Sequence, residues 1–169
     1  MLESLSSHRR QLNFAGFLIC LLLLGAAYYL QFVEGLEPCP LCIFQRLALA
    51  ALGIVFLLAG LQNPVAAGRY GYGALLALTA ALGAAIAGRH AWLQSLPADQ
   101  VPECGPGLNY LLDTFPLFDA VALVLRGSGE CAEVDLLFGM SIPLWTLLAF
   151  IGLGLAGVLI NLTGAVRRS

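Results

Sequence analysis

Residues 39–61 read CPLCIFQRLALAALGIVFLLAGL, a Cys-Pro-Leu-Cys segment that continues directly into a long apolar run. From Ile43 to Leu61 the only ionisable side chain is that of Arg46. The hydrocarbon core of a bilayer is about 30 Å thick, and a helix needs about 20 mostly apolar residues to cross it. The segment therefore predicts a membrane-spanning helix with two thiols at its beginning.

Three further runs, 13–32, 70–88 and 142–162, have the length and hydropathy of membrane spans. A cleavable signal peptide is the alternative for the first run, but its apolar stretch is longer than the roughly 7 to 15 residues of a signal-peptide core. The chain is therefore expected to form one integral membrane domain with four helices. Small residues recur every four positions in the last two runs and predict close helix packing there: Gly73, Ala77, Ala81 and Ala85, likewise Ala80, Ala84 and Gly88, then Gly152 and Ala156.

The composition also indicates a membrane protein. Hydrophobic residues make up 60% of the chain and charged residues 11%, whereas a soluble domain carries about 25% charged residues. The mean hydropathy is +0.88. A net charge of −2 argues against a nucleic-acid partner.

The arginines predict the orientation, because loops rich in basic residues stay on the cytoplasmic side of a membrane. The N-terminus, the 62–69 loop and the C-terminus would share that side, and the loops 33–42 and 89–141 would face outward. The predicted fold is an all-α bundle of four transmembrane helices with both termini cytoplasmic, a short first outer loop and a long second one. Five of the eight basic residues support this orientation: Arg9, Arg10, Arg69, Arg167 and Arg168.

Cys39 and Cys42 in the first loop are spaced to form either a small disulfide ring or half of a zinc knuckle. Only one cysteine pair has knuckle spacing, so the zinc site is the weaker alternative and no metal is expected. Pro38 and Pro40 keep the loop from being helical, which places Cys42 at the start of the second span. Unpaired N–H groups and the helix dipole favour a thiolate at that position.

Arg46 follows Cys42 by four residues and therefore lies on the same helix face. An ionisable residue inside a membrane span indicates a functional site. A cation here would stabilise a thiolate on Cys42 or negative charge on a reduced small molecule. The alternative is an arginine that extends to the lipid head groups.

The second outer loop contains Cys104, among prolines and glycines, and Cys131. A disulfide between them is expected, and a purely structural bond is the alternative. Residues 115–125 between them are apolar but too short to span. Their hydrophobic face predicts a short interfacial helix on the outer membrane surface, with a small buried helix of an outer cap as the alternative: Phe118, Val121, Ala122 and Leu125. Cys20, in the middle of the first span, is expected to act as a small hydrophobic residue.

These motifs together resemble the disulfide bond formation protein B (DsbB) family over residues 10–165. The resemblance rests on the Cys-x-x-Cys at a helix start, Arg46 four residues later, Arg89-His90 at the end of the third run, and Gly-Ser-Gly-Glu-Cys-Ala-Glu at 127–133. The related vitamin K epoxide reductases carry their Cys-x-x-Cys after the loop pair, whereas here it comes first. Gln45 stands where some family members have an acidic residue, and no role is assigned to it.

The resemblance implies an enzyme of the bacterial inner membrane that reoxidises the periplasmic thiol oxidase DsbA and reduces ubiquinone, with menaquinone as the other possible acceptor. It implies two redox-active pairs, Cys104–Cys131 and Cys39–Cys42. Cys104 would be attacked by DsbA, Cys131 and Cys39 would relay the exchange, and Cys42 would face the quinone. Arg46 and His90 would bind the quinone beside Cys42.

Other interpretations remain open from the sequence. A non-enzymatic membrane subunit would use the same cysteines as structural disulfides. A related four-helix enzyme would serve a different thiol partner. For His90, the alternative to quinone binding is a histidine that serves as an anchor at the lipid–water boundary.

Overall fold

The computed structural model of the chain describes residues 8–65, 67–97, 99–102 and 108–162, without the side chains of 108, 109 and 112. Cys104, Arg167 and Arg168 lie outside the described residues. Within these ranges the chain forms six α-helices, a short 3-10 helix (Gly129–Ala132) and a two-stranded hairpin. The elements are α1 (Arg9–Phe32), α2 (Pro40–Gln62), α3 (Ala67–Gln94), α4 (Leu108–Thr114), α5 (Leu117–Arg126), β1 (Leu136–Leu137), β2 (Met140–Ser141) and α6 (Ile142–Leu162).

Helices α1, α2, α3 and α6 are each long and apolar enough to cross a membrane, which confirms the all-α bundle of four spanning helices. Three of them extend beyond the apolar runs of the sequence. Helix α1 begins at Arg9, α2 begins at Pro40, and α3 continues to Gln94. His90 consequently lies within α3, about one turn before its end. The side of the membrane that each end faces stays a prediction.

The centre of the bundle is apolar and closely packed. Helix α3 packs along α6, α1 along α2, and α2 along α3. Leu76, Phe56 and Phe150 form the core with Cys20, and none of these side chains is more than 1% exposed. Cys20 therefore packs as a small hydrophobic residue, as its position in the sequence predicted.

The small residues at the helix contacts agree only in part with those predicted. Of the predicted positions, Gly73 and Ala80 are buried, and Ala84 and Gly88 are half-buried. The others lie on exposed faces: Ala77, Ala81, Ala85, Gly152 and Ala156. One close approach involves the predicted Ala80, whose Cβ atom would lie 2.6 Å from a Cβ added at Gly154. Another is at Gly83, which was not predicted and where a Cβ atom would lie 2.2 Å from the Phe150 ring. Small residues line several faces of these helices, so their spacing alone does not show which face meets a neighbour.

Two buried amides link α1 to α6 at the end of the bundle opposite the cysteines. Asn161 Nδ2 donates to Asn13 Oδ1 at 3.1 Å, and both side chains are at most 1% exposed. Nearby, Arg9 Nη2 donates to Asn63 Oδ1 at the end of α2, also at 3.1 Å. Such bonds between spanning helices fix their register where apolar contacts are less directional.

Helix α5 covers the end of the bundle where α2 begins. Ala120 and Val124 are buried against this end, as in the cap interpretation. The opposite face is also apolar, since Phe118 is 88% exposed and Leu125 is 39% exposed. The helix therefore has an inner face that packs on the bundle and an outer apolar face. Contact of that outer face with the membrane surface stays a prediction.

The end of α3 fixes this cap. Arg89 Nη2 donates to the Arg126 carbonyl at 2.7 Å, and Arg89 Nε donates to the Leu125 carbonyl at 3.3 Å. These are carbonyls of the last turn of α5, which have no partner inside their own helix. Gln94 Nε2 donates to the Glu133 carbonyl at 2.7 Å. The chain on both sides of Cys131 is thus held against α3.

Candidate active site

The two thiols of the first loop are placed by the beginning of α2. Cys39 is the N-cap in an extended conformation, and Pro40 occupies the first helical position, where a missing N–H removes no helical bond. The backbone N–H of Cys42 donates to Cys39 Sγ at 3.4 Å. This bond folds the two side chains together, and their Sγ atoms are 3.2 Å apart. The structure describes both as thiols, so their pairing as a disulfide stays a prediction.

His90 of α3 lies against both sulfurs. Its Nε2 atom is 3.8 Å from Cys39 Sγ, and its Nδ1 atom is 4.0 Å from Cys42 Sγ. The imidazole is only 2% exposed. Helix α3 continues past the apolar run, which ends at residue 88, as far as Gln94. His90 therefore lies within the helix, next to the thiols.

Gln45 holds the other side of the imidazole. Its Nε2 atom lies 2.9 Å from His90 Nδ1, and the Gln45 side chain is 5% exposed. With the amide NH₂ group of Gln45 facing the ring, Nδ1 accepts, and the proton of a neutral His90 is then on Nε2. That proton is directed toward Cys39.

Arg46 is tied to the last turns of α1. Its Nη1 atom donates to Gln31 Oε1, and its Nη2 atom donates to the Ala27 carbonyl at 3.0 Å. The guanidinium also lies over the Tyr28 ring, 5.0 Å from its centroid. These partners are uncharged, so they fix the side chain without neutralising its charge. The guanidinium belongs to a residue one helical turn after Cys42.

Cys131 approaches the same site from the cap. It lies in the 3-10 helix, is 1% exposed, and its N–H donates to the Ser128 carbonyl at 2.9 Å. Its side chain packs in one buried cluster with Cys39 and Leu41, and its sulfur lies 3.9 Å from Ser128 Oγ. The bond to Cys39, together with burial, raises the pKa of the Cys131 thiol well above its ordinary value.

Five of the residues singled out in the sequence thus lie around one end of α2: Cys39, Cys42, Arg46, His90 and Cys131. Cys104 lies outside the described residues. The site also includes Gln45 and Gln31, which the sequence did not identify. One weak feature of the sequence could have indicated them. Each is an amide near the end of an apolar run, where a polar side chain needs a hydrogen-bond partner.

This arrangement suits thiol–disulfide exchange. Cys42 lies in the first turn of α2, where the positive end of a helix dipole favours a thiolate, and Arg46 follows one turn later. A third cysteine, Cys131, packs in the same buried cluster as Cys39. Exchange proceeds by attack of a thiolate on a neighbouring sulfur, so Cys39 lies between two possible partners.

Comparison with known proteins gives the same family across the chain. The pattern of the family described as Disulfide bond formation protein DsbB matches residues 9–160. The chain is similar to proteins named Disulfide bond formation protein B. The one from Nitrosococcus oceani is 58% identical over 146 residues, which cover 86% of each chain. Two more are those from Hahella chejuensis (54% identical over 144 residues, 85% of this chain and 87% of the relative) and Chromohalobacter salexigens (52% identical over 160 residues, 90% of this chain and 93% of the relative). With its four apolar helices, the chain is a multi-pass membrane protein and belongs to the disulfide bond formation protein B family.

Proposed function

We propose that this chain is a protein dithiol:quinone oxidoreductase of the bacterial inner membrane. It would reoxidise a DsbA-like periplasmic protein and pass the electrons to ubiquinone, or to menaquinone as the alternative acceptor. The observation that carries this proposal is the position of Cys39 and Cys42 beside His90, at the start of a membrane-spanning helix. Thiols at this position adjoin both the outer loops and the apolar phase in which a quinone dissolves.

The first exchange takes place in the second outer loop. A thiolate of the partner attacks Cys104 of a Cys104–Cys131 disulfide, which forms a mixed disulfide and releases Cys131. Cys131 then attacks Cys39 of the Cys39–Cys42 disulfide and releases Cys42 as a thiolate. The contact of the buried Cys131 side chain with Cys39 supports this step.

The remaining exchanges return the loop to its starting state. The second thiol of the partner attacks the mixed disulfide, leaves as an oxidised protein and frees Cys104. Cys104 attacks Cys131, which restores the loop disulfide and releases Cys39. Cys39 and Cys42 then give two electrons and two protons to the quinone and become a disulfide again. The net reaction converts one dithiol and one quinone into one disulfide and one hydroquinone.

The residues around the thiols have distinct roles in this account. The dipole of α2 and the charge of Arg46 stabilise negative charge on Cys42 and on an acceptor oxygen beside it. Gln31 and Ala27 hold that charge in place. His90, with its proton on Nε2, is placed to exchange a proton with Cys39.

The quinone is required on energetic grounds. DsbA has a reduction potential of about −120 mV, whereas stable structural disulfides lie below about −300 mV. For two electrons this gap of about 180 mV corresponds to about 8 kcal/mol in the unfavourable direction. An ordinary structural disulfide would therefore not oxidise DsbA, and a stronger acceptor must remove the electrons.

The proposal is tested by anaerobic turnover of purified protein with a reduced DsbA-like dithiol protein and ubiquinone. Loss of quinone absorbance should accompany thiol oxidation, and Cys42→Ser should abolish both, while Cys20→Ser should leave both unchanged. Far-ultraviolet circular dichroism of each variant checks the fold. A Cys42→Ser protein that still reduces quinone, or a wild-type protein that consumes none, would contradict the proposal.

A further inference from the structure

The thiol pair and His90 have a second chemical capability besides redox exchange. The sulfurs of Cys39 and Cys42 and a ring nitrogen of His90 all lie within 4.8 Å of one another. We propose that the dithiol form of this site binds a thiophilic divalent cation, Zn²⁺ or Cd²⁺, through Cys39 Sγ, Cys42 Sγ and His90 Nε2. The cation would be an inhibitor that competes with disulfide formation, not a cofactor of the enzyme.

The distances between the donor atoms fit a tetrahedral ion. Zinc lies about 2.3 Å from cysteine sulfur and about 2.0 to 2.1 Å from histidine nitrogen, so neighbouring ligands are about 3.8 Å (sulfur to sulfur) and about 3.6 Å (sulfur to nitrogen) apart. Here the two sulfurs are 3.2 Å apart, and Cys39 Sγ is 3.8 Å from His90 Nε2. Small side-chain rotations would therefore admit the ion without movement of either helix.

Gln45 is the outer partner that such a histidine ligand requires. A metal-binding imidazole usually donates its other N–H to a fixed acceptor, and loss of that acceptor weakens binding by about 10- to 100-fold. Gln45 already lies 2.9 Å from His90 Nδ1. If its amide turns over, Oε1 faces Nδ1 and accepts its proton, which leaves the lone pair of Nε2 free for the ion.

Access and ligand number also favour reversible binding. Cys42 is only half-buried, whereas Cys39 and His90 are buried, so the cation would enter from the Cys42 side. Three protein ligands leave one tetrahedral position for water or an exogenous ligand, as in open zinc sites.

Binding would depend on the redox state of the pair. Each thiol loses its proton when it coordinates the ion, and neither sulfur is available as a thiolate in a Cys39–Cys42 disulfide. The cation would thus hold the reduced pair and prevent its reoxidation. This inhibitory consequence rests on the proposed function, but the binding itself does not.

The test measures binding directly. A Cys104→Ser/Cys131→Ser protein retains Cys39, Cys42 and Cys20 as its only thiols. In detergent, the reduced form of this protein is titrated with Cd²⁺, with the thiolate–cadmium ultraviolet absorbance as the readout, and with Zn²⁺ by calorimetry. We expect a single ion per chain, no binding by the oxidised form, and unchanged affinity after a further Cys20→Ser change.

Three variants decide the ligand set. Cys42→Ser and His90→Asn should each weaken binding by more than about 100-fold, and Gln45→Leu by about 10- to 100-fold. Circular dichroism establishes that each variant is folded. Equal binding by the oxidised protein, or full affinity in folded Cys42→Ser or His90→Asn protein, would overturn the proposal. Cation binding without loss of quinone turnover would contradict only the inhibitory consequence.

Discussion

Gln45 Nε2 lies 2.9 Å from His90 Nδ1, and this hydrogen bond joins α2 to α3 beside the thiol pair. Both side chains are buried, Gln45 at 5% and His90 at 2% exposure. A buried polar atom that loses its partner costs about 1 to 3 kcal/mol. The bond therefore fixes both the orientation of the imidazole and the distance between the two helices.

We expect Gln45→Leu to lower the free energy of unfolding by about 1 to 3 kcal/mol, because His90 Nδ1 loses its amide partner and keeps only the Cys42 sulfur, 4.0 Å away. In a double-mutant cycle measured by unfolding in detergent, the loss of stability in the Gln45→Leu/His90→Asn protein should differ from the sum of the two single losses by about 1 kcal/mol. The ¹⁵N shifts of His90 should also reveal loss of the Nε2–H tautomer. If the losses of stability were strictly additive and the ¹⁵N shifts of His90 were unchanged in Gln45→Leu protein, the bond would contribute neither to stability nor to the choice of tautomer.

Arg46 is predicted to contribute to quinone binding through its charge. Hydrogen bonds to charged groups contribute about 1.5 to 3 kcal/mol, so Arg46→Ala should raise KM for ubiquinone by about tenfold or more. Gln31→Leu should raise it less, because the Ala27 carbonyl still holds the guanidinium. Steady-state quinone reduction measures both effects.

Arg10→Ala is the matched control, since Arg10 lies near the other end of α1 and packs over Phe14. Its KM should equal that of the wild type. If Arg46→Ala and Arg10→Ala behaved alike, the charge of Arg46 would have no part in acceptor binding.

The raised pKa of Cys131 predicts slow alkylation. A raised pKa keeps the thiol protonated, so at a pH below that value the reactive thiolate is scarce, and each unit of pKa changes its amount about tenfold. Because Cys39 is the main cause of the shift, Cys39→Ala should lower the pKa of Cys131 and speed its alkylation near pH 8.

This experiment uses fully reduced protein in a Cys104→Ser background, in which Cys131 has lost its partner in the loop disulfide, and residue-level mass spectrometry separates Cys131 from the other thiols. The rate in unfolded protein should be the same with or without Cys39. An alkylation rate of Cys131 that Cys39→Ala leaves unchanged in the folded protein would show that the two side chains do not interact.

The packing of α3 against α6 makes Gly83 sensitive to any side chain. A Cβ atom there would lie 2.2 Å from the Phe150 ring, and overpacking of this kind costs about 1 to 3 kcal/mol. Gly83→Ala should therefore lower the thermal stability in detergent, although alanine favours a helix over glycine.

Gly25→Ala in α1 is the control, because nothing lies within 4 Å of the new Cβ. It should leave stability unchanged or raise it by up to about 1 kcal/mol. Equal melting temperatures for the two variants would show that α3 and α6 are not in close contact at Gly83.

The four spans could be predicted because each is a long apolar run, and the hydropathy of such a run depends only on its own residues. The exact ends of the helices could not be predicted, because they depend on local capping and on contacts with residues outside the apolar run. Pro40 starts α2 three residues before Ile43, with Cys39 as its N-cap, and α3 continues past 88 to Gln94, where it packs on the cap.

The part of the site that lies within one helix could be predicted from the sequence. Cys42 and Arg46 are four residues apart, so helix geometry alone places them together. Their contacts with distant residues are not encoded in any local pattern. Gln45 meets His90 across 45 residues of sequence, and Arg46 meets Gln31 across 15. The distance between such residues follows from the packing of helices, which spacing does not reveal.

The central claim is that the Cys39–Cys42 pair delivers electrons to a quinone, and a single anaerobic turnover tests it most directly. Fully reduced Cys104→Ser/Cys131→Ser protein is mixed with ubiquinone, and the quinone absorbance is followed while the remaining thiols are trapped and mapped by mass spectrometry. The account predicts that hydroquinone and a Cys39–Cys42 disulfide form in equal amounts, and that Arg46→Ala slows both. Unchanged quinone, with Cys39 and Cys42 still alkylatable, would contradict the account.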